Sequence, residues 1–419
     1  MHILLIHQYF LADGEGGGAR WNETTRIWKK MGHEVTVFTG NHHYLRTQKQ
    51  RHAKNTYEKR VNSDGINVVA CPVYISAGKT FLMQRLLEYL SFSMTLICYG
   101  LFRWRQKPDI IIATSPPLTV TFAALFLSWW KKCPYVSEVR DLWPESAIDM
   151  KVLSDPRLIY LAYQLESIFY RQAKLIVVLT PAFKNFLIDR KKVPEEKIIY
   201  VPNSVDFSLA ETVNQNTADT ALRNSLNLQG KFVIVYVGAH GRANGLETLL
   251  AVAERIKELP VVFLLIGDGD CKAHLIEQTS QSGLNNIQFL DLMPKEEVLK
   301  YIWLSDMGLT ILQNNPTFKT IYSNKTFDYF SCRKPVLMAV DGVSKALIEQ
   351  ADAGVYIDSE NMDAWFSTIM FYIQHPETAK RQGENGYRFA KKHFDRVYWA
   401  EVYLDRIEKL NYDGKFQNY

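Results

Sequence analysis

The chain has 419 residues, 47% of them hydrophobic and 22% charged, with a formal charge of +5. That length exceeds one ordinary core and points to two domains of about 200 residues each. The composition excludes a disordered or low-complexity chain, and so mild a charge gives no ground for a nucleic-acid partner.

In chain order, "HILLIHQYF" reads as a strand and "ARWNETTRIWKKMG" as a helix, with "LADGEGGGARWNE" (11–23) spanning the turn between them. Gly14, Gly16, Gly17 and Gly18 free the backbone there. A glycine loop that opens a helix can bring main-chain N–H groups against a bulky anion. Gly17, Gly18 and Arg20 are therefore expected at a phosphate, a solvated flexible loop being the plainer alternative. The dinucleotide fingerprint is incomplete, because Ala19 stands where its third glycine would fall and no acid ends the next strand, "HEVTVFTG". That counts against hydride transfer.

The stretch 42–60 carries six Lys/Arg against one Glu. The helix expected over 81–107 sets Gln84, Glu88, Ser91 and Thr95 in one polar stripe and ends in Arg103, Trp104, Arg105 and Lys107. Such a helix is either buried under neighbours or laid in a membrane interface. Residues 110–130 run 21 positions without a charge, but Pro116 and Pro117 divide them into a buried strand and a core helix, so no membrane span is expected. "PYVSEV" and "KLIVVLT" are further strands. After the polar, turn-rich segment beginning "YVPNSVD", the pattern restarts with "KFVIVYVG", "VVFLLIG", "IQFLD", "MGLTIL" and "KPVLMAV". Continuous apolar strands spaced by helices predict α/β architecture with parallel sheets covered on both faces. The expected organisation is a doubly wound Rossmann-like domain over 1–205, a second over 206–395, and a last helix, 396–419, crossing back toward the first. A cleft between the carboxyl ends of the two sheets is where ligands are expected.

Cys71, Cys98, Cys133, Cys271 and Cys332 are odd in number and lack metal-ligand spacing, which fits a reducing cytoplasm. No basic segment precedes the first apolar run, so no signal peptide is expected. "GDGD" (267–270) reads as a tight turn after a strand, and Cys271 with His274 falls short of the four ligands zinc takes. No cofactor and no essential metal are expected.

"GGGAR", "EVRDLWPES" (138–146), "VPNSVD", "YVGAHG" (236–241), "LLIGDG" (264–269) and "SNKTFDYFSCRKPVL" (323–337) occur in an order that resembles glycosyltransferase family 4, retaining enzymes of the GT-B fold. The resemblance runs over nearly the whole chain. It is nearest to the O-antigen and capsule group of WbuB-like N-acetyl-L-fucosamine transferases. It implies a nucleotide sugar, usually a UDP-sugar, on the C-terminal domain and an acceptor on the N-terminal domain. Asp328 matches the acid that bonds the ribose hydroxyls, a role that suits a carboxylate's two accepting oxygens. Gly238, His240, Arg242, Ser323 and Lys325 are expected around the diphosphate. Lys325 and Asp328, three apart on a helix, share a side and either reach the nucleotide together or form an ordinary ion pair.

The chain departs from the family pattern at three places. Thr320 stands where a first paired glutamate is usual, Asn244 replaces a lysine, and Arg140-Asp141 occupies a segment that often carries histidine. Catalysis is expected from Arg140, which would steady a diphosphate, and from Asp141 or Glu145, which would hold the acceptor hydroxyl or the developing charge on the sugar. A structural Arg140–Asp141 ion pair is the alternative.

The resulting expectation is a retaining glycosyltransferase of bacterial surface-polysaccharide assembly. It would pass a sugar from a UDP-sugar to a polyprenyl-diphosphate-linked saccharide, and the resemblance implies N-acetyl-L-fucosamine or a related N-acetylated sugar. Its place would be cytoplasmic, peripheral on the inner face of the plasma membrane. A UDP-N-acetylhexosamine 2-epimerase and a catalytically weak, nucleotide-sugar-binding partner subunit are the alternatives.

Overall fold

Residues 1–41, 56–75, 81–216 and 219–416 are described in a computed structural model of the protein. The basic stretch at 42–55 therefore lies outside the described residues. The chain divides into two units, Met1–Asp13 with Ala19–Pro202 and Val397–Tyr419, and Gly14–Gly18 with Asn203–Arg396.

The first unit runs β1 (His2–Ile6), α1 (Arg20–Lys30), β2 (Glu34–Gly40), β3 (Glu58–Val61), β4 (Asn67–Cys71), α2 (Phe81–Phe102), β5 (Ile110–Ser115), α3 (Leu118–Lys131), β6 (Tyr135–Val139), α4 (Glu145–Asp149), α5 (Pro156–Gln172), β7 (Leu175–Val178), α6 (Pro181–Asp189) and β8 (Ile198–Tyr200). Its strands lie in the order β3-β4-β2-β1-β5-β6-β7-β8. All pair in parallel except β3, whose alternating "EKRV" forms an antiparallel edge on β4. Ile3 pairs with Val35 on one side and Ile110 on the other, which sets the register of the sheet's centre.

Side chains alternate along these strands, so each face has its own cover. Ile3, Leu5, Val37 and Ile112 meet Trp21 and Trp28 of α1. The last helix, α16 (Arg396–Phe416), adds Tyr403 and Ile407 to the same cluster, and the Trp28 indole donates to the Ala400 carbonyl at 2.9 Å. The opposite face, marked by Phe38 against Tyr99 of α2 with ring centroids 5.4 Å apart, carries α2 and its neighbour α3, with α5 beyond. Helices α5 and α6 both begin at a proline behind a capping side chain, Asp155 and Thr180.

Helix α2 is turned opposite to what an amphipathic reading suggests. Its polar stripe faces the protein. Glu88 accepts from Gln8 and Tyr9, the Ser91 hydroxyl accepts from the Tyr74 N–H at 2.9 Å, and Thr95 donates to the Pro72 carbonyl at 2.8 Å. The division at the prolines of 110–130 is as expected, with β5 ending at Ser115 and α3 beginning at Leu118. No helix among the described residues is long and apolar enough to cross a membrane.

The second unit comprises α7 (Phe207–Asn216), α8 (Asp219–Ser225), β9 (Phe232–Val237), α9 (Thr248–Arg255), β10 (Val261–Ile266), α10 (Lys272–Gln281), β11 (Ile287–Leu290), α11 (Lys295–Leu304), β12 (Met307–Ile311), α12 (Asn324–Ser331), β13 (Val336–Ala339), α13 (Val343–Ala351), β14 (Gly354–Tyr356), α14 (Met362–Gln374) and α15 (Pro376–His393). Its six strands, β11-β10-β9-β12-β13-β14, are all parallel. The segment after 206 that reads as polar turns in the sequence is helical instead. Phe207, Ala210 and Val213 of α7 enter the core, which a turn-rich composition conceals. The unit's two chain ends are tied together: the Val205 N–H donates to Phe394 O at 2.8 Å and the Arg396 guanidinium to Ser204 O at 2.7 Å.

Candidate functional site

In a parallel sheet the loops leaving the strands' carboxyl ends gather at one edge. In the second unit the loops after β9 and β10 are locked into each other there. Gly238 N–H donates to Ile266 O at 3.0 Å, His240 N–H to Asp268 O at 2.9 Å, and Cys271 N–H to His240 O at 2.9 Å. The approach admits only glycine. Gly267 has φ +148°, and a Cβ on it would fall 1.9 Å from the Gly238 oxygen. The "GDGD" turn is thus a contact between loops, and Gly269 N–H closes it on the Asp268 carboxylate at 2.8 Å.

This lock holds His240 in a fixed place. The ring lies against Tyr236 and Phe289, is fully buried, and neither ring nitrogen has a hydrogen-bond partner. Burial, then the charges of Lys272 and Lys325, pull its pKa down to about 4, so it is a neutral imidazole at pH 7. Buried polar groups are ordinarily satisfied, and here neither ring nitrogen is.

Helix α12 brings the remaining groups. Lys325 sits one residue into it, 4.8 Å above the Tyr236 ring centroid and 3.4 Å from the Ser323 hydroxyl, with its Cε 3.2 Å from where a Gly238 Cβ would lie. Desolvation lowers its ammonium pKa to about 8, against the pull of Asp328. Ser323 is the residue before the helix and its hydroxyl makes no capping bond, so the helix's first N–H groups are not closed off by it. Asp328 follows one turn on. Its direct partner is Lys295 of α11 at 3.1 Å, rather than Lys325 in its own helix. The structure thus brings together Gly238, His240, Ser323, Lys325 and Asp328, with Lys295 and Tyr236 as members the sequence reading missed. Neither had a signal: Lys295 opens a helix after Pro294, and Tyr236 reads as one more strand residue.

The other expected residues have surroundings of their own. Arg242 is exposed beside a cavity of about 500 Å³ lined also by Glu247, Asp270, Cys271, His274 and Gln313. Thr320 donates to Thr317 O at 2.6 Å within a 3₁₀ turn, Thr317–Thr320. The glycine loop belongs to the second unit, and a Cβ on Gly16 would fall 2.3 Å from the Met293 oxygen. Gly17 has φ +145°, and Gly18 has open space around its Cβ position. Close approach therefore accounts for Gly16, and positive φ for Gly17.

Arg20 has a different occupation from the one expected of it. Its side chain is buried in the first unit, bonded to both carboxylate oxygens of Glu138 at 3.3 and 3.1 Å. It also donates to Pro202 O at 2.5 Å and Val201 O at 3.0 Å. A guanidinium so spent is a structural strut.

At the carboxyl end of β6, Arg140 lies 3.4 Å from His7 Nε2, and His7 bonds Thr114 at 2.8 Å. Asp141 accepts from Ser146 at 2.7 Å, and burial raises its carboxyl above the ordinary range despite that bond. Glu145 is drawn elsewhere. Its Oε1 meets Lys191 at 2.6 Å, and Lys191 also holds Glu166 at 2.6 Å. Burial pushes Glu166 up to about 7. Asp141 and Glu145 are thus neighbours in sequence with separate attachments. Among the described residues no group of three His, Cys, Asp or Glu side chains is placed to hold a metal ion.

Residues 15–204 match a family model described as a glycosyl transferase 4-like domain, and residues 218–389 match one described as glycosyl transferases group 1. The chain is 26% identical over 315 residues to the putative colanic acid biosynthesis glycosyl transferase WcaI of Escherichia coli K12, covering 74% of this chain and 76% of that one. Among solved structures, sucrose-phosphate synthase from Thermosynechococcus elongatus superposes with a TM-score of 0.75 at 16% identity over 98% of each chain. Anabaena Alr3699/HepE, solved in complex with UDP, superposes with a TM-score of 0.69 at 16% identity, covering 98% of this chain and 100% of that one.

Proposed function

The chain is a glycosyltransferase of the GT-B fold and the family 4 kind, and we propose that it moves a sugar from a UDP-sugar to a lipid-linked saccharide in the assembly of a bacterial surface polysaccharide, with retention at the anomeric carbon. The observation that carries the donor half is the unbonded His240 imidazole beside Lys325, next to the start of α12 that the Ser323 hydroxyl leaves uncapped. A diphosphate offers what these groups lack: anionic oxygens for Lys325 and for the N–H groups opening α12, and an acceptor for a neutral imidazole N–H. Asp328, one turn on, then meets the ribose hydroxyls as a double acceptor. UDP bound to Alr3699/HepE and the WcaI name support this reading of donor and pathway.

In the transfer the bond from the anomeric carbon to the diphosphate oxygen breaks, and UDP leaves with the electron pair. The acceptor hydroxyl bonds to the same face of the sugar and gives its proton to the departing diphosphate. The protein contributes position and charge. Lys325 meets the growing negative charge on the leaving group. Asp141, held by Ser146, is assigned to the acceptor hydroxyl, and Arg140 to an acceptor phosphate. A polyprenyl-diphosphate-linked acceptor places the enzyme at the inner face of the plasma membrane. An N-acetylated deoxysugar such as N-acetyl-L-fucosamine is the donor sugar to try first.

Calorimetric titration with UDP, GDP and uridine tests the donor site. UDP is expected to bind and GDP to bind far less. Lys325→Met should weaken UDP roughly tenfold or more while sparing uridine, since a charge-assisted bond is lost only from the diphosphate. Asp328→Asn should weaken both. Equal UDP affinity in both variants would remove these residues from the donor site.

A further inference from the structure

The same turn of α2 that sends its polar stripe inward leaves its apolar side in solvent. Met83, Leu86, Leu90, Met94 and Phe102 are all exposed, and 83, 86, 90 and 94 recur at the spacing of one helical face. Phe102 is 80% exposed and Met94 61%. Helix α3 adds to this surface. It lies against α2 closely enough that a Cβ on Gly100 would come within 2.7 Å of the Leu127 side chain. On its outer side Phe122, Trp129 and Trp130 are exposed, Trp129 at 71%.

The carboxyl ends of the two helices meet. Lys131, closing α3, donates to the Trp104 carbonyl at 2.6 Å and lies 5.1 Å above the Trp104 ring. This brings Trp129, Trp130 and exposed Lys132 beside Phe102, Arg103, Arg105 and Lys107. Acid is missing from the outer surface of both helices. The sole carboxylate in α2, Glu88, is buried, and α3 has none.

We propose that this α2–α3 face is a docking surface for an anionic lipid bilayer. Three features select a bilayer over a second protein. On this face Phe102, Trp129, Met94 and Trp130 are each more than half exposed, so they suit a soft medium that closes around them. Paired tryptophans next to lysine are the chemistry of the headgroup boundary, apolar in body and polar at the rim. The four exposed cations at one end complement acidic headgroups. The face deepens the lipid-linked-acceptor reading by naming where the lipid surface lies. It stands or falls separately, because vesicle binding needs neither donor nor acceptor.

The test is flotation of the full chain with vesicles of phosphatidylglycerol and phosphatidylethanolamine, and with phosphatidylcholine alone, at low and high salt. Wild type should float with the anionic vesicles and lose much of that binding in high salt. W129S/W130S and M94S/F102S should each cut the partition at least roughly tenfold, with unchanged melting temperature and UDP affinity. R103E/R105E should lose the anionic preference. F371S, an exposed aromatic of the second unit, is the control and should float like wild type. Equal flotation of the α2 and α3 variants overturns the proposal. So does a wild-type chain that ignores vesicles, or one that forms a concentration-dependent dimer abolished by the same substitutions. A W129S/W130S protein that no longer floats yet still binds UDP separates this surface from the donor site.

Discussion

Arg20→Met isolates a structural role from a ligand role at one residue. Arg20 and Glu138 form an ion pair at 3.1 Å with side chains 3% and 0% exposed. Removing the cation strands a carboxylate that has no route to water. It also strips a donor from the carbonyls of Val201 and Pro202, at the end of the first unit's chain. Breaking one partner of a buried pair costs about 3–5 kcal/mol, because the remaining charge keeps its desolvation penalty. At a urea slope of about 2.5 kcal/mol per molar this lowers the midpoint by roughly 1.5 M. Hydrogen exchange of the α1 amides through a urea series reads the transition in the first unit directly. R20M/E138L, which removes both charges, should recover most of the loss, since a buried pair replaced by apolar groups is often neutral. UDP affinity should stay constant throughout. A variant with an unmoved midpoint and weakened UDP binding would refute the argument and return Arg20 to the phosphate.

Other consequences follow from titratable groups. Glu166 has a folded pKa of about 7, above the ordinary 4.5. The native state therefore holds the extra proton between those values, and stability falls as pH rises from 4.5 to 7. Glu166→Gln should be more stable than wild type at pH 8 by on the order of 2 kcal/mol, with the gap closing by pH 5 in melting curves. His240 shows the opposite sign. Its folded pKa of about 4 lies below 6.5, so the unfolded chain binds the proton first and stability is lost as pH drops from 6.5 to 4. His240→Phe, which keeps a ring against Tyr236 and Phe289, should flatten that acid limb while weakening UDP in titrations. Asp141→Asn should depress turnover by about a hundredfold and leave UDP affinity unchanged; an equal loss of both would place it at the donor.

Much of the fold was legible because buried parallel strands write themselves as apolar runs. "IIIATS" and "VVFLLI" are buried at every position, and no other reading fits such stretches between helices. Four strands go unread in the sequence: β4 carries the mark, buried at four of its five residues, and β8 is only three residues long, whereas β3 and β14 lack it. β3 is an edge strand with charge at three of its four residues, as edges tend to be, and β14 is three half-buried residues. Helix α2 shows a different limit. A polar stripe fixes a helix's two faces but not which one meets water, because the protein can satisfy inward polar groups from neighbouring elements, as Gln8, Tyr9, Pro72 and Tyr74 do here. In the candidate site, what was legible was local placement, as with Lys325 and Asp328 on one short helix. The sequence was opaque where a partner arrives from elsewhere. Nothing near Arg20 announces Glu138, 118 residues on.

Lys295 is another such remote partner, and its effect on the proposed donor site has a sign that can be worked out. It holds Asp328 Oδ1 at 3.1 Å, both side chains about a fifth exposed. Two outcomes compete when Lys295→Met is made. If the ammonium occupies lone pairs the ribose needs, removing it tightens UDP. If it fixes the carboxylate's direction, removing it weakens UDP. Each carboxylate oxygen accepts more than one hydrogen bond, so the Lys295 contact at Oδ1 does not by itself exclude the ribose hydroxyls. Orientation therefore wins. For a partly exposed pair the stake is about 0.5–1 kcal/mol, roughly a two- to fivefold rise in Kd. Because this effect passes through the ribose, uridine and UDP should weaken by the same factor, whereas a lysine touching phosphate would affect UDP alone. In an Asp328→Asn background the substitution should do almost nothing. Tighter UDP binding in Lys295→Met, or a loss confined to UDP, would refute the orienting role.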